Sequence, residues 1–212
     1  MTITLYGHPF SLCTRRVLLV LQEKGIEYEF INVDFLAGEQ KRGPYVDMMP
    51  FGQIPALKDG SISLYESRAI ARYLANRYRD QGIDLLPAVE DAQGWAIFEQ
   101  FASVEYSQFY DVALSVLTLK LFNPRMGRPS DAAASKSSVE NLHAKLDILD
   151  KILSDQDYLG GPRFTIIDAF YMPVMSSLHD AGEGHAIEQR KNLGSWWRNV
   201  SNRSSWKKIT QG

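Results

Sequence analysis

Strand-like alternation and helical periodicity take turns up to about residue 80, and from Asp91 onward only the helical period remains. That switch restricts the chain to a mixed α/β part followed by an all-helical part. Thr2-Ile3-Thr4-Leu5-Tyr6 alternates as a short strand does and is broken by Gly7-His8-Pro9. Thr14 to Lys24 carries Val17, Leu18, Leu19, Val20 and Leu21 and stops at Gly25, a residue suited to ending a helix. Tyr28 to Val33 reads as a second strand. Ala56-Leu57-Lys58 and Ser61-Ile62-Ser63-Leu64-Tyr65 flank a hairpin with an Asp59-Gly60 turn, and Ser67 to Tyr78 aligns Ile70, Leu74 and Tyr78 on one helical side. The stretch between the second strand and the hairpin reads as irregular. A strand-helix-strand start implies a parallel pair with a right-handed crossover, to which the hairpin adds antiparallel strands.

In the second half Trp95, Phe98, Phe101, Ala102, Phe109, Val112 and Val116 recur at helical spacing, and Val139, Leu142, Leu146, Leu149 and Leu153 form a stripe. Each such helix buries one face only against other helices, so this half is a bundle. Thr165-Ile166-Ile167-Asp168 has the form of a capping box with Asp in the usual Glu place, and Pro173 is expected to bend the helix that follows. The expected domains are 1–82 and 90–212.

A formal net charge of −2 gives no electrostatic footprint for nucleic acid or an anionic membrane. No apolar run approaches the roughly 18 residues of a membrane helix. The N-terminal stretch lacks the basic and apolar regions of a secretory signal, and Cys13 is the only cysteine, so a reducing, cytoplasmic setting is expected. His8, His143, His179 and His185 show no metal-ligand spacing, and no metal site is expected.

Four short segments carry chemistry, each with a plainer alternative. A β-α-β-β-α order with a proline just before the third strand suggests a thioredoxin-type fold, in which the first helix starts where a thiol or disulfide sits. Here Ser11 stands at that start, where unpaired N–H groups and the helix dipole favour an anion. Its hydroxyl can donate a hydrogen bond to a thiolate, or it can simply cap the helix. In Pro50-Phe51-Gly52-Gln53-Ile54-Pro55, a cis Ile54-Pro55 bond would turn the Ile54 backbone toward an extended peptide; an ordinary trans loop proline is the alternative. Glu66 and Ser67 lie where a strand meets a helix, offering a counter-charge to an ammonium and donors to a carboxylate, or merely a cap. Lys41, in Gly38-Glu39-Gln40-Lys41-Arg42, could pair with a carboxylate or belong to a solvated loop.

The joint order of these segments, S-x-x-T-R-R, G-E-x-K, P-F-G-Q-I-P and Y-E-S-R-A-I ahead of a helical domain, resembles a glutathione transferase, most like the phi class of plants and fungi. The resemblance extends over nearly the whole chain, through Phe122-Asn123-Pro124, Lys145-Leu146-Asp147, Tyr158-Leu159 and Phe164 to Asp168. It implies the glutathione transferase fold: an α/β thioredoxin-like N-terminal domain plus an all-α C-terminal domain. It implies Ser11 as the thiol-activating residue. It implies that Gln40 and Lys41 bind the glycine end of glutathione, that Ile54, next to Pro55, pairs with the cysteinyl part, and that Gln53, Glu66 and Ser67 hold the γ-glutamyl end. Phe10, Leu12, Phe35, Thr118, Phe122 and Met126 would line a pocket for hydrophobic electrophiles.

Three positions depart from the phi pattern: Gln40 where His is common, Met49 where Asn is usual, and Cys13 where a small residue is frequent. The implied activity is conjugation of the glutathione thiolate to electrophiles, with reduction of organic hydroperoxides beside it, as in detoxification. Glutathione would be a co-substrate, with no other cofactor, and the protein a homodimer in which Phe51 contacts the second subunit. Two rivals stay open. Thiol-disulfide exchange would need Cys13 as nucleophile, two residues from the expected place; a carrier of apolar ligands would need no catalysis.

Overall fold

The computed structural model describes residues 2–211. The chain forms two compact units: one runs to Leu86 and includes the segment from Ser204 onward, and the other is Pro87–Arg203. The end of the chain therefore departs from the expected domain 90–212. Helix α11 (Ser204–Gln211) packs on the first helix of the first unit, with Trp206 buried and Ser205 Oγ donating to Glu23. One tryptophan anchors it, and eight residues are too few for periodicity to reveal where a helix docks.

The sheet of the first unit has the order β2-β1-β3-β4, with β1 (Ile3–Gly7), β2 (Tyr28–Asn32), β3 (Ala56–Asp59) and β4 (Ile62–Tyr65). β1 and β2 are parallel, with Ile3 opposite Tyr28, while β3 runs antiparallel to both β1 and β4. Helix α1 (Leu12–Lys24) joins the parallel pair, and α3 (Ser67–Arg77) follows β4 and packs on α1. The core between sheet and helices holds Leu5, Val17, Leu19, Val20, Leu21, Leu57, Ile70 and Leu74, all fully buried. Gly25 ends α1 in the left-handed conformation at φ 63°, which costs glycine nothing.

Two local expectations are corrected. The hairpin turns on Gly60-Ser61, not Asp59-Gly60: Asp59 pairs with Ile62, and Gly60 takes φ 59°. Positive φ at the first central residue alone is the type II′ pattern. Asp59 instead accepts the Tyr73 and Tyr78 hydroxyls at 2.9 and 3.1 Å. The stretch expected to be irregular holds a 3₁₀ turn (Glu39–Lys41) and helix α2 (Gly43–Met48), with Pro44 in its first turn. Six residues bounded by Gly43 and Pro50 leave no room for a helical repeat to show.

In the second unit α4 (Ala92–Val104), α5 (Asp111–Leu117) and α6 (Asn123–Arg125) follow one another through π-helical stretches at Glu105–Tyr110 and Thr118–Phe122. Next come α7 (Ala132–Ile152), α8 (Ile166–Leu178), a third π-helical stretch at His179–Glu183, α9 (Gly184–Glu188) and α10 (Lys191–Ser201). Leu142, Leu146 and Leu149 of α7 are buried, and α8 is buried along nearly its whole length, Pro173 included. The capping box forms at its start: Thr165 Oγ1 accepts the Ile167 N–H, and Asp168 accepts the Thr165 N–H at 2.9 Å. No helix among the described residues is long and apolar enough to cross a membrane.

Candidate functional site

The start of α1 is shaped by a close approach between strand and helix. A Cβ at Gly7, the last residue of β1, would lie 2.6 Å from both Thr14 Cγ2 and Thr14 Oγ1, so only glycine fits there. Thr14 Oγ1 accepts the His8 N–H at 3.3 Å, and the His8 carbonyl accepts the Ser11 N–H at 2.9 Å. Ser11 is thereby set as the N-cap, at φ −72° and ψ 127°, with Oγ accepting the Thr14 N–H at 3.3 Å. A hydroxyl has one hydrogen and two lone pairs. Capping uses a lone pair and leaves the hydrogen to be donated elsewhere. The two sequence readings of Ser11 are therefore compatible. The first turn of α1 holds no acidic residue, so nothing on the helix itself offsets its positive end.

The stretch 38–55 is held by a close approach at Gly52. Its φ is +58°, and a Cβ there would lie 2.9 Å from the Gln40 carbonyl oxygen and 2.6 Å from Lys41 Cδ. Gln40 and Lys41 are thus packed directly against the 51–53 loop. Lys41 Nζ donates to the Phe51 carbonyl at 3.0 Å and keeps further hydrogens for an anion. Gln40 Nε2 donates to the Phe35 carbonyl at 3.2 Å, while its buried Oε1 has no partner. One of the two Nε2 hydrogens of Gln40 is thus held by the Phe35 loop, and the other is left for a carboxylate.

The Gln53 peptide is clamped from two sides. Tyr45 Oη donates to its carbonyl at 2.6 Å, and the Met49 sulfur accepts its N–H at 3.2 Å. This gives Met49 a structural role: its buried thioether is the acceptor for a loop N–H. Tyr45, Met49, Val33 and Ala56 form a small core against which Ile54 packs. Burial raises the Tyr45 hydroxyl above the ordinary range, so it remains a donor at any working pH. The Ile54-Pro55 bond is cis, and among the described residues no loop or cap hydrogen bond engages the Ile54 N–H. An extended ligand can pair there as an added strand.

Glu66 and Ser67 mark the third corner. Glu66 holds φ 67°, the left-handed region that a side chain with Cβ rarely adopts. Such outliers persist where surrounding structure enforces them, and they cluster at ligand sites. Ser67 opens α3 and is buried, with Oγ accepting from Arg16 Nη1 at 2.8 Å. Edge-to-face packing of Phe51 on Tyr65, at 6.0 Å between centroids, ties the 51–53 loop to the residue preceding Glu66.

Of the six residues expected to line an apolar pocket, three lie in each unit. In the first, Phe10 is 74% exposed and Phe35 half-buried; both meet the His8 ring, at 5.6 and 5.0 Å. Leu12 is buried and offers little surface to a ligand. In the second, Thr118 and Phe122 bound a π-helical stretch, a feature frequent at functional sites, and Met126 follows α6. Sequence reasoning missed Tyr45, Met49 and Arg16 as supports. The one local signal was the bulky pair Tyr45 and Met49 four residues apart.

Residues 1–76 match the family model described as the glutathione S-transferase N-terminal domain, and residues 131–198 match the C-terminal one. The chain is 39% identical to glutathione S-transferase F11 of Arabidopsis thaliana over 100% of its own length and 98% of that protein's. Among solved structures it resembles glutathione transferase F2 of Populus trichocarpa, with a TM-score of 0.93, 36% identity and coverage of 99% and 97%. It also resembles maize glutathione S-transferase I in complex with an atrazine glutathione conjugate, with a TM-score of 0.90, 26% identity and coverage of 99% and 96%. The chain belongs to the glutathione S-transferase family and, within it, to the plant-type phi class.

Proposed function

We propose that the protein conjugates the thiolate of glutathione to hydrophobic electrophiles, with Ser11 as the catalytic residue. The observation that carries this reading is the Ser11 hydroxyl, which caps α1 through a lone pair and retains its hydrogen at the positive end of that helix. A thiol brought there gives up its proton more readily, because the hydroxyl and the helix end both stabilise the anion. The resulting thiolate attacks an electrophilic carbon, displacing a leaving group or adding across an activated double bond. Removing one such donor from a developing anion costs roughly 10²–10³ in kcat.

The rest of glutathione is held as an extended peptide. Its cysteinyl backbone pairs with Ile54, whose position is set by the Tyr45 and Met49 clamp on Gln53. Lys41 meets the glycine carboxylate. Ser67 and the start of α3 meet the γ-glutamyl carboxylate, and Glu66, with Gln53, meets the ammonium. Fixing the nucleophile beside its target supplies the entropic part of the rate. Phe10 and Phe35 supply the apolar surface that the first unit offers an electrophile beside Ser11. This chemistry calls for no metal or redox group, since the nucleophile arrives with the co-substrate.

The maize relative, solved in complex with an atrazine glutathione conjugate, supports an aromatic electrophile and a detoxifying role. A single cysteine, unable to form an internal disulfide, supports work in the cytoplasm. A homodimer is supported by Phe51, 65% exposed on the loop beside the site. The test is conjugation of a nitro-activated aryl chloride. Ser11→Ala loses about a hundredfold or more in kcat while apolar dye binding persists. Unchanged turnover in Ser11→Ala, with activity lost in Cys13→Ser, would transfer the chemistry to Cys13.

A further inference from the structure

Arg16 is completely buried, on the second turn of α1. A guanidinium out of water is costly unless its donors find acceptors. Here Nη1 reaches across to α3 and donates to Ser67 Oγ at 2.8 Å, and it lies 3.6 Å from Cys13 Sγ. Ser67 itself is only 4% exposed. Two buried polar groups from helices far apart in the sequence therefore meet at the N-terminus of α3.

The direction of this bond has a consequence for a ligand. Because Ser67 Oγ accepts from a cation, its own hydrogen is turned away from Arg16 and is left to donate. Donation into the oxygen from a charged group also strengthens the hydroxyl as a donor. The next acceptor to reach this hydrogen is a group arriving at the start of α3, where unpaired N–H groups already favour a carboxylate. The strained φ of Glu66 places this helix start directly beside a counter-charge for an ammonium.

We propose that Arg16 is a positioning residue for glutathione: acting through Ser67, it orients and polarises the hydroxyl that binds the γ-glutamyl carboxylate. It touches neither the thiol nor the electrophile, so it governs affinity and leaves the chemical step alone. This rests on the reading of Ser67 as a glutathione ligand, and the experiment separates the two.

Equilibrium affinities are measured for glutathione and for 4-aminobutanoyl-cysteinyl-glycine, which lacks only the γ-glutamyl α-carboxylate. The proteins compared are the unmodified chain, Arg16→Met, Ser67→Ala and the double variant, with kcat followed in parallel. The unmodified protein prefers glutathione by about tenfold or more, the worth of a charge-assisted hydrogen bond. Arg16→Met and Ser67→Ala each lose most of that preference, kcat of Arg16→Met at saturating glutathione changes by less than about twofold, and the double variant is no worse than Ser67→Ala alone. If Arg16→Met does not fold, Arg16→Lys replaces it. That variant keeps the charge on a single nitrogen and shows an intermediate preference. Full preference in the folded Arg16 variant, or losses that multiply in the double variant, overturns the role of Arg16. Full preference in Ser67→Ala instead removes Ser67 from the site and takes this proposal with it.

Discussion

Ser11 shows how one side chain serves the fold and the chemistry together. Its oxygen accepts the Thr14 N–H, a cap worth about 1 kcal/mol, while its hydrogen stays available to a thiolate. Activity and stability are separable at this residue because they use opposite ends of one O–H group. Gln53 shows the reverse economy, with its exposed side chain facing outward and its peptide fixed by others. Tyr45→Phe deletes the 2.6 Å bond to the Gln53 carbonyl and leaves the ring in place. Losing about 1 kcal/mol of loop order raises KM for glutathione about three- to tenfold with kcat little changed. Steady-state kinetics with glutathione varied measures this. The Ser11 cap and the strand-to-helix junction at Glu66 and Ser67 are legible in the sequence because local residues announce each chain break. The Arg16–Ser67 bond is not, since its partners are 51 positions apart and nothing local to either names the other.

At the scale of elements, the parallel β1–β2 pair, the hairpin and the capping box of α8 follow the sequence pattern, because each is decided by residues within one or two turns. The turn moved by one residue because Asp59 is held by Tyr73 of α3 and by Tyr78 just beyond its end, a tertiary effect no local propensity contains. Helix α2 escaped notice because it is short, and it matters because it carries Tyr45 and sets Met49. Gly52 is where this element meets the site. Gly52→Ala forces a side chain into φ +58° and against the Gln40 carbonyl at 2.9 Å. The left-handed strain alone is roughly 1–2 kcal/mol. Denaturant unfolding should show a loss of about 2 kcal/mol, accompanied by weakened glutathione binding as the 38–41 loop is pushed away.

At the scale of the whole molecule, two buried carboxyls in the helical unit give stability opposite dependences on pH. Burial pushes the Asp168 carboxyl up to about 6 from 3.8, against the pull of hydrogen bonds from Thr165, Trp196 and Leu159. The folded chain holds a proton there that the unfolded chain has released. This contribution is complete below about pH 4 and is lost as pH rises through about 6, a two-unit shift worth about 3 kcal/mol. Burial also works to raise Glu183, but hydrogen bonds from Lys120 and His143 outweigh it, and the group ends below its ordinary 4.5. Its contribution is present above that value and fades as pH falls. Unfolding free energies across this range should show Asp168→Asn gaining on the unmodified protein by about 3 kcal/mol between pH 4 and 7. A constant difference would show that Asp168 stays charged in the fold.

The most direct measurement is the titration of glutathione's thiol in the bound state, followed by the ultraviolet absorbance of the thiolate in the unmodified protein and in Ser11→Ala. The bound thiol should titrate at least about one unit below the 8.5 of an ordinary thiol, and should return toward that value when the hydroxyl is removed. A bound thiol that titrates identically with and without the Ser11 hydroxyl would contradict the account.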